Sequence, residues 1–200
     1  KSGNIYTFAY TSIMRGEFNQ GSCRNFNHNT YQWSLTEVKN IYGQTITYEY
    51  EKEEKELTSS LCGVSYYIDI ATYPTTITYS HGLYRVEFIR EPRADYPSTW
   101  DTDGAPHQYQ RERLQRIKIM QDADKNGSFE TIIRSYDLLY GEDEGYAGYI
   151  FPNQSRSDGT GHVSTLRAVQ QNGVNNLSSF PRTVFTYGDG LHLTKAINGY

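Results

Sequence analysis

The sequence predicts an all-β fold in which consecutive antiparallel β-hairpins form a Tyr-rich sheet. Tyr supplies 19 of the 200 residues, and its ring packs within a sheet while its hydroxyl reaches water or the main chain. Stretches of alternating apolar and polar residues recur between clusters of Gly, Asn and Asp, as strands and turns require. The sequence holds no sustained amphipathic helix pattern with capping residues at both ends.

Length and charge limit the classes to which the chain can belong. Its 200 residues suit a single β-hairpin repeat domain over residues 1–200, which we expect to be a segment of a larger protein. A net charge of −4 and a pI near 5.7 differ from the clustered basic charge of nucleic-acid binders. No run approaches the roughly 18 apolar residues of a membrane-spanning helix. We therefore predict no nucleic-acid partner and no membrane span.

The first strand is predicted at GNIYTFAY (3–10). Aromatic residues alternate there with small and β-branched ones, so Tyr6, Phe8 and Tyr10 are expected to share one face and to point into the core. Residues 11–32 are rich in Asn, Gly and Ser, which satisfy turns with their own side chains. They predict a long loop.

The stretch WSLTEVKNIYGQTITYEY (33–50) predicts two strands joined by a turn at KNIYGQ, which has the Asn and Gly that turns need. The step from Leu35 to Val38 breaks strict alternation, as a β-bulge or a short twist would. The charged run EKEEKELTSS (51–60) is expected to be an exposed loop or a hairpin extension, with a loop preferred to a solvated helical turn.

Further hairpins and two long excursions follow. VSYYIDIATYPTTITY (64–79) predicts two strands divided at Pro74, because Pro cannot donate to a sheet ladder. HGLYRVEFIREPR (81–93) completes a hairpin with the second of them. Proline, charge and glycine content predict excursions between strands at residues 91–113 and 141–162.

One motif returns along the chain: Leu-x-x-Val or Leu-x-x-Ile, several polar residues, a Gly, and an aromatic-rich alternating strand. It occurs in residues 33–50, 114–140 and 166–188, and residues 193–200 look like the start of another copy. A hairpin of this kind cannot bury its aromatic face alone, so neighbouring copies are expected to stack and share an interior. The anchors of the motif are Leu35 with Val38, Leu114 with Ile117, and Leu166 with Val169.

The string at 33–50 resembles an element of the Rhs/YD-repeat superfamily, particularly of the salmonella virulence plasmid B type and of the B components of Tc insecticidal toxins. The strings at 114–140 and 166–188 look like the succeeding elements, and residues 3–10 look like the strand that precedes the Trp. The resemblance covers most of the chain. Gly188 stands where the YD motif has its Asp, which implies a degenerate segment flanking the regular repeats.

This resemblance implies a YD-repeat-like curved sheet or partial β-shell. It also implies a structural scaffold within a secreted or surface-exposed bacterial protein related to toxins and virulence. The implied partners are neighbouring β-repeat segments of the same parent protein or partner toxin subunits, with self-association possible through sheet edges. No catalytic residue is carried over by the resemblance, and we expect neither enzyme activity nor a cofactor.

Two other functions compete with a scaffold. A carbohydrate- or receptor-binding β-domain would expose Tyr and Trp rings on one sheet face, whereas a scaffold should bury them. A glycoside hydrolase would gather carboxylates from residues 91–113 and 141–162, and Trp100 lies beside Asp101 and Asp103 in the first of these. A solvated loop with one buried indole explains the same three residues and is preferred.

The motif DADKNG (122–127) resembles the first half of a calcium loop, with oxygen-bearing side chains at alternate positions and a Gly that allows a sharp turn. Its candidate ligands are Asp122, Asp124 and Asn126. A complete loop has a Glu where this chain has Ile133, and Glu130 stands three positions earlier. Asp, Asn and Gly are also natural residues of a polar hairpin turn, which is the preferred interpretation. No metal site is predicted.

The other reactive residues form no catalytic pattern. Cys23 and Cys62 permit one disulfide, closing a loop of about 38 residues, or two free thiols, and the sequence leaves both open. The serines lack a G-x-S-x-G elbow, and the histidines lack metal-ligand spacing. The histidines are His28, His81, His107, His162 and His192.

Overall fold

The structure, a computed structural model, describes residues 3–15, 28–59, 64–93, 110–140, 149–150, 162–163, 165–187 and 193–198. These residues form strands, turns and one short 3₁₀ helix, Val174–Asn176, and none of them lies in an α-helix. The predicted all-β fold of consecutive antiparallel strands is confirmed. The chain divides into two compact units, Lys1–Ile77 with Trp100–Gln110 and Thr78–Thr99 with Arg111–Tyr200. The expectation of one domain stays a prediction.

The first unit consists of four strands that neighbour one another in chain order. They are β1 (Ile5–Arg15), β2 (His28–Lys39), β3 (Thr45–Ser59) and β4 (Val64–Tyr79), whose last two residues belong to the second unit. β2 pairs antiparallel with both β1 and β3. The buried residues of this unit are Ser12, Ser34, Asp69, Ile70, Ala71 and Tyr73.

The second unit carries a longer antiparallel row of strands. Its strands are β5 (Tyr84–Pro92), β6 (Glu112–Gln121), β7 (Thr131–Tyr140), β8 (Tyr149–Ile150), β9 (His162–Val163), β10 (Leu166–Asn172), β11 (Thr183–Tyr187) and β12 (Leu193–Asn198). The sheet order is β5-β6-β7-β10-β11-β12, and β8 pairs separately with β9. The buried residues are Asp122, Ser135, Tyr140, Thr165, Ala168 and Asn172.

The predicted turn at KNIYGQ is confirmed. The Asn40 side-chain oxygen accepts hydrogen bonds from the main-chain N–H groups of Tyr42 and Gln44, at 2.9 and 3.0 Å. Gly43 has a φ of 81°, which a residue without a Cβ adopts without strain. Asn and Gly thus turn the chain between β2 and β3, as their chemistry predicts.

The predicted irregularity between Leu35 and Val38 is a β-bulge. The β1–β2 pairing passes from Thr7 opposite Glu37 to Phe8 opposite Leu35, which leaves Thr36 without a partner in the ladder. The Thr36 hydroxyl donates instead to the Thr7 carbonyl, at 3.1 Å. The extra residue therefore keeps a hydrogen bond to the neighbouring strand.

Two expectations around β3 and β4 are wrong in part. Residues 51–59 are not a loop, because they belong to β3, which continues through Ser59 and extends the hairpin. β4 is not divided at Pro74 but runs through it. Side chains bridge β3 and β4 on both sides of the proline: the Tyr73 hydroxyl donates to Glu53 at 3.1 Å, and the Thr76 hydroxyl donates to Glu49 at 2.6 Å. Glu53 of the charged run is thus a cross-strand partner, as is Glu49 just before the run.

The expectation that Tyr6 and Phe8 point into the core is also wrong. Their side chains are 54% and 56% exposed. β1 is the outermost strand of the first unit, and no other described element covers its N-terminal half. Tyr10 is half-buried, and its ring lies 5.4 Å from that of Tyr50, so the core of this unit begins there.

Opposite charges face each other across the central strands of the second unit. Glu87 lies opposite Lys118, with Nζ and Oε2 3.0 Å apart, and Glu91 lies opposite Arg113, with Nε and Oε1 2.7 Å apart. Arg116 of β6 is likewise paired with its opposite residue in β7, Asp137. Such directly opposed pairs favour one strand alignment over others.

Several predictions fall outside the described residues. These are the cysteine pair Cys23 and Cys62, the candidate sugar site Trp100, Asp101 and Asp103, the two histidines His107 and His192, and most of the two long excursions. His81 lies in the exposed turn between β4 and β5, where its φ is 58°.

Candidate functional site

The DADKNG turn brings three carboxylates together at the β6–β7 connection. Asp122, Asp124 and Glu130 each place one oxygen within 4.8 Å of the others. Asp122 is only 4% exposed, and its carboxylate accepts the main-chain N–H groups of Asn126 and Gly127 at 3.1 and 2.9 Å. Gly127 has a φ of 90°, so the predicted hairpin turn is confirmed.

The Asn126 side chain lies among these carboxylates with its nitrogen toward them. Nδ2 donates to Asp124 Oδ2 at 2.9 Å and to Glu130 Oε1 at 3.3 Å. Its carbonyl oxygen accepts from the N–H of Ser128, at 2.7 Å. A calcium ligand would turn this oxygen toward the cation. The amide nitrogen thus takes the position of the cation, and the hydrogen bonds are those of a turn.

The environment of Asp122 alters its acidity. Burial by itself would raise the pKa of Asp122, because it disfavours the charged carboxylate. Hydrogen bonds from the main chain of Gly127 and Asn126 outweigh burial and hold the pKa below its ordinary value. The carboxylate is therefore a main-chain acceptor that stabilises the turn in its ionised form.

A second polar group, here named the Asp69 cluster, lies inside the first unit. It consists of Ser12, Ile13, Tyr31, Lys52, Asp69 and Thr72. Asp69 is 5% exposed, and its Oδ2 lies 2.7 Å from the main-chain nitrogen of Ile13 and 2.9 Å from Nζ of Lys52. The fully buried Ser12 hydroxyl lies 2.5 Å from that of Thr72. Side chains of β4 therefore bind β1, although the two strands are not neighbours in the sheet and share no main-chain hydrogen-bond ladder.

A bulge in β2 places Tyr31 in this cluster. The pairing passes from Ser12 opposite Gln32 to Ile13 opposite Thr30, so Tyr31 is the extra residue of the bulge. Its hydroxyl donates to the main-chain oxygen of Asp69, at 3.0 Å. All four strands of the first unit thus contribute to one hydrogen-bonded group around Asp69.

Lys52 also faces the aromatic part of the core. Its Nζ lies 5.2 Å from the centre of the Tyr10 ring, within the range of a cation–π contact. Burial raises the pKa of Tyr10, and the positive charge of Lys52 opposes this rise. Because the cation is held by Asp69 and by a ring, the geometry is that of a structural ion pair.

The third feature is an exposed aromatic surface at the outer edge of the first unit. The β1 apolar surface, as we name it, consists of Tyr6, Phe8 and Trp33, each more than half exposed. Tyr6 is opposite Val38, which is opposite Ile46, and Phe8 is opposite Leu35. An apolar strip thus crosses three strands. Contiguous patches of this kind mark interaction sites on soluble proteins.

A separate exposed apolar group lies on the second unit. It surrounds the 3₁₀ helix and consists of Val174, Leu177, Phe180 and Val184. The segment is anchored, because Asn175 Oδ1 accepts the N–H of Ile132 at 3.0 Å and the Ser135 hydroxyl donates to Asn176 Oδ1 at 2.6 Å. The loop thereby covers main-chain groups of β7 beyond the end of β10, whose last pair is Asn172 with Ser135.

The sequence predicted the turn but not the Asp69 cluster or the two exposed apolar groups. Asp69 is a lone acidic residue within the apolar run YYIDIATY, and this was the signal that a buried charge needs a partner. The exposure of Tyr6, Phe8 and Trp33 could not be predicted from the sequence. Apolar and polar residues alternate in the same way in a strand whose apolar face is covered.

Comparison of the chain with protein-family profiles, curated proteins and solved structures gave no match. Among the residues that the structure describes, no helix has the length and apolar character needed to cross a membrane.

Proposed function

We propose that the chain is a non-catalytic structural segment of a β-scaffold or shell, within a secreted or surface-exposed bacterial protein of the Rhs or toxin-related kind. Its partners are neighbouring β-repeat segments of the same parent protein or partner toxin subunits. The observation that carries the proposal is the β1 apolar surface on an outermost strand, next to sheets whose strands follow chain order. A sheet built from successive hairpins ends in an edge strand, and the next hairpin of a longer protein covers that strand.

The buried polar groups support a structural role. The Asp69 carboxylate binds Lys52 and a main-chain amide, and the Asp122 carboxylate binds two main-chain amides. Each group fixes one strand or turn to another. Buried polar networks whose hydrogen bonds are all made specify one arrangement of a fold, and a rigid scaffold requires such a single arrangement.

Sedimentation velocity over a concentration series tests the scaffold. The isolated chain is expected to associate as concentration rises, because the β1 apolar surface is open to a second molecule. Replacing Tyr6 and Phe8 by Ser should weaken this association by about tenfold or more. Tyr42→Ser, at an 82% exposed residue of the β2–β3 turn that lies outside this surface, is the control and should not change it. A clean monomer at high concentration contradicts the proposal.

The exposed rings favour one alternative, a carbohydrate- or receptor-binding β-domain. A scaffold should bury its rings when assembled, whereas a binding domain keeps Tyr6, Phe8 and Trp33 open for its ligand. A glycan array followed by titration calorimetry separates the two. Binding that is lost in Trp33→Ala and kept in Tyr42→Ala, at an exposed turn residue, would favour the binding domain. The glycoside hydrolase stays the less favoured alternative from the sequence, and its carboxylates lie largely outside the described residues.

A further inference from the structure

The main-chain groups along β1 divide into a paired side and an open side. Among the described strands, β2 is the one neighbour of β1. The Thr7 carbonyl accepts the Thr36 hydroxyl of β2, so the main-chain groups of Thr7 face that strand. Those of its neighbours Tyr6 and Phe8 therefore face the open side, because main-chain direction alternates along a strand. Open edges of this kind accept another strand.

The C-terminal half of β1 is different, because its open side is occupied by a side chain. The N–H of Ile13 donates to Oδ2 of Asp69, at 2.7 Å. A carboxylate oxygen thus takes the place of the carbonyl that a partner strand would offer. Lys52 balances its charge from the other side, at 2.9 Å, and Asp69 is 5% exposed. Asp69 of β4 thus occupies the side of β1 at which a further strand would pair.

We propose that Asp69 blocks the C-terminal half of β1 against pairing with β1 of a second copy of the chain, and so limits strand pairing to Ile5–Phe8. A second copy is the fitting occupant on electrostatic grounds. Residues Ile5–Met14 carry no charge, so two β1 strands meet without repulsion or an unpaired ion.

Three variants, compared at equal concentration by sedimentation velocity, test this role. Asp69→Ala removes the acceptor and frees the Ile13 amide, so it should dimerise at a concentration about tenfold lower than the wild type. Asp69→Asn keeps a side-chain oxygen for that amide and should behave as the wild type. Asp137→Asn removes the charge of a comparable cross-strand ion pair, with Arg116, between strands that are paired on both sides, and should not promote association.

Two results would overturn the proposal that Asp69 blocks pairing. One is that Asp69→Ala stays monomeric, and the other is that the Ala and Asn variants associate equally. Because the comparison is between variants, its result is separate from whether the wild type associates, which tests the scaffold. If Asp69→Ala fails to fold by circular dichroism, amide hydrogen exchange of the wild-type chain decides. The Ile13 amide should exchange at least about tenfold more slowly than those of Tyr6 and Phe8. Equal rates at the three amides would refute the block.

Discussion

The ion pair of Lys52 and Asp69 offers the sharpest test of what holds the first unit together. Lys52→Met keeps most of the apolar stem of the side chain and removes its charge. The variant leaves the Asp69 carboxylate, which is 5% exposed, with the Ile13 amide as the donor that remains to it within the Asp69 cluster. A buried charge that loses its partner is strongly destabilising.

The magnitude follows from burial. Removing one partner of a fully buried pair costs about 3–5 kcal/mol. Lys52 is 20% exposed, so water screens part of the interaction, and the amide still stabilises the carboxylate. We therefore expect a loss of about 2–3 kcal/mol in the unfolding free energy of the first unit. Urea unfolding followed by circular dichroism at neutral pH measures it.

Lys118→Met is the matched control for this experiment. It removes the same type of residue from a cross-strand pair at a similar distance, 3.0 Å, but its partner Glu87 is 37% exposed. Solvent can stabilise that carboxylate, so the loss should stay below about 1 kcal/mol. Equal losses in the two variants, or a loss below about 1 kcal/mol for Lys52→Met, would refute the argument that burial of Asp69 sets the cost.

Three further predictions concern the turns. The lowered pKa of Asp122 means that its ionised form stabilises the fold above the ordinary value of 3.8 and that this contribution is lost as pH falls through the lowered value. Urea unfolding between about pH 5 and pH 2 should therefore show a steeper loss for the wild type than for Asp122→Asn. Calorimetric titration with calcium at millimolar concentration should give no heat, and saturable heat lost in Asp124→Asn would show a metal site instead. Gly43→Ala should destabilise the β2–β3 hairpin by about 1 kcal/mol, because its φ of 81° strains any residue with a Cβ; unchanged urea unfolding would contradict this.

Local chemistry made several elements predictable from the sequence. The KNIYGQ and DADKNG turns follow from Asn, Asp and Gly side chains that satisfy their own main chain. The bulge at Thr36 was visible as a break in alternation between Leu35 and Val38. These features depend on residues that lie close together in the sequence. A short stretch of sequence is therefore sufficient to predict them.

Features that depend on distant partners were not predictable in the same way. The glutamates of residues 51–60 suggested a solvated loop, but Glu53 accepts the hydroxyl of Tyr73 in the next strand. Pro74 suggested a strand end, but β4 continues because bridges to β3 flank it. The exposure of Tyr6 depends on which strand lies beside β1. The periodicity of the sequence does not indicate which strand that is.

The opposed charges on β5 and β6 have a consequence for folding as well as for the native sheet. A slip of two residues keeps every side chain on its own face, so hydrophobic pattern alone does not prevent it. The slip that sets Glu87 against Met120 also sets Lys118 against Ile89, so both charges lose their partners. Electrostatics therefore favours the native alignment over this slip, and refolding in concentrated salt, where the preference weakens, should yield more molecules with this misalignment.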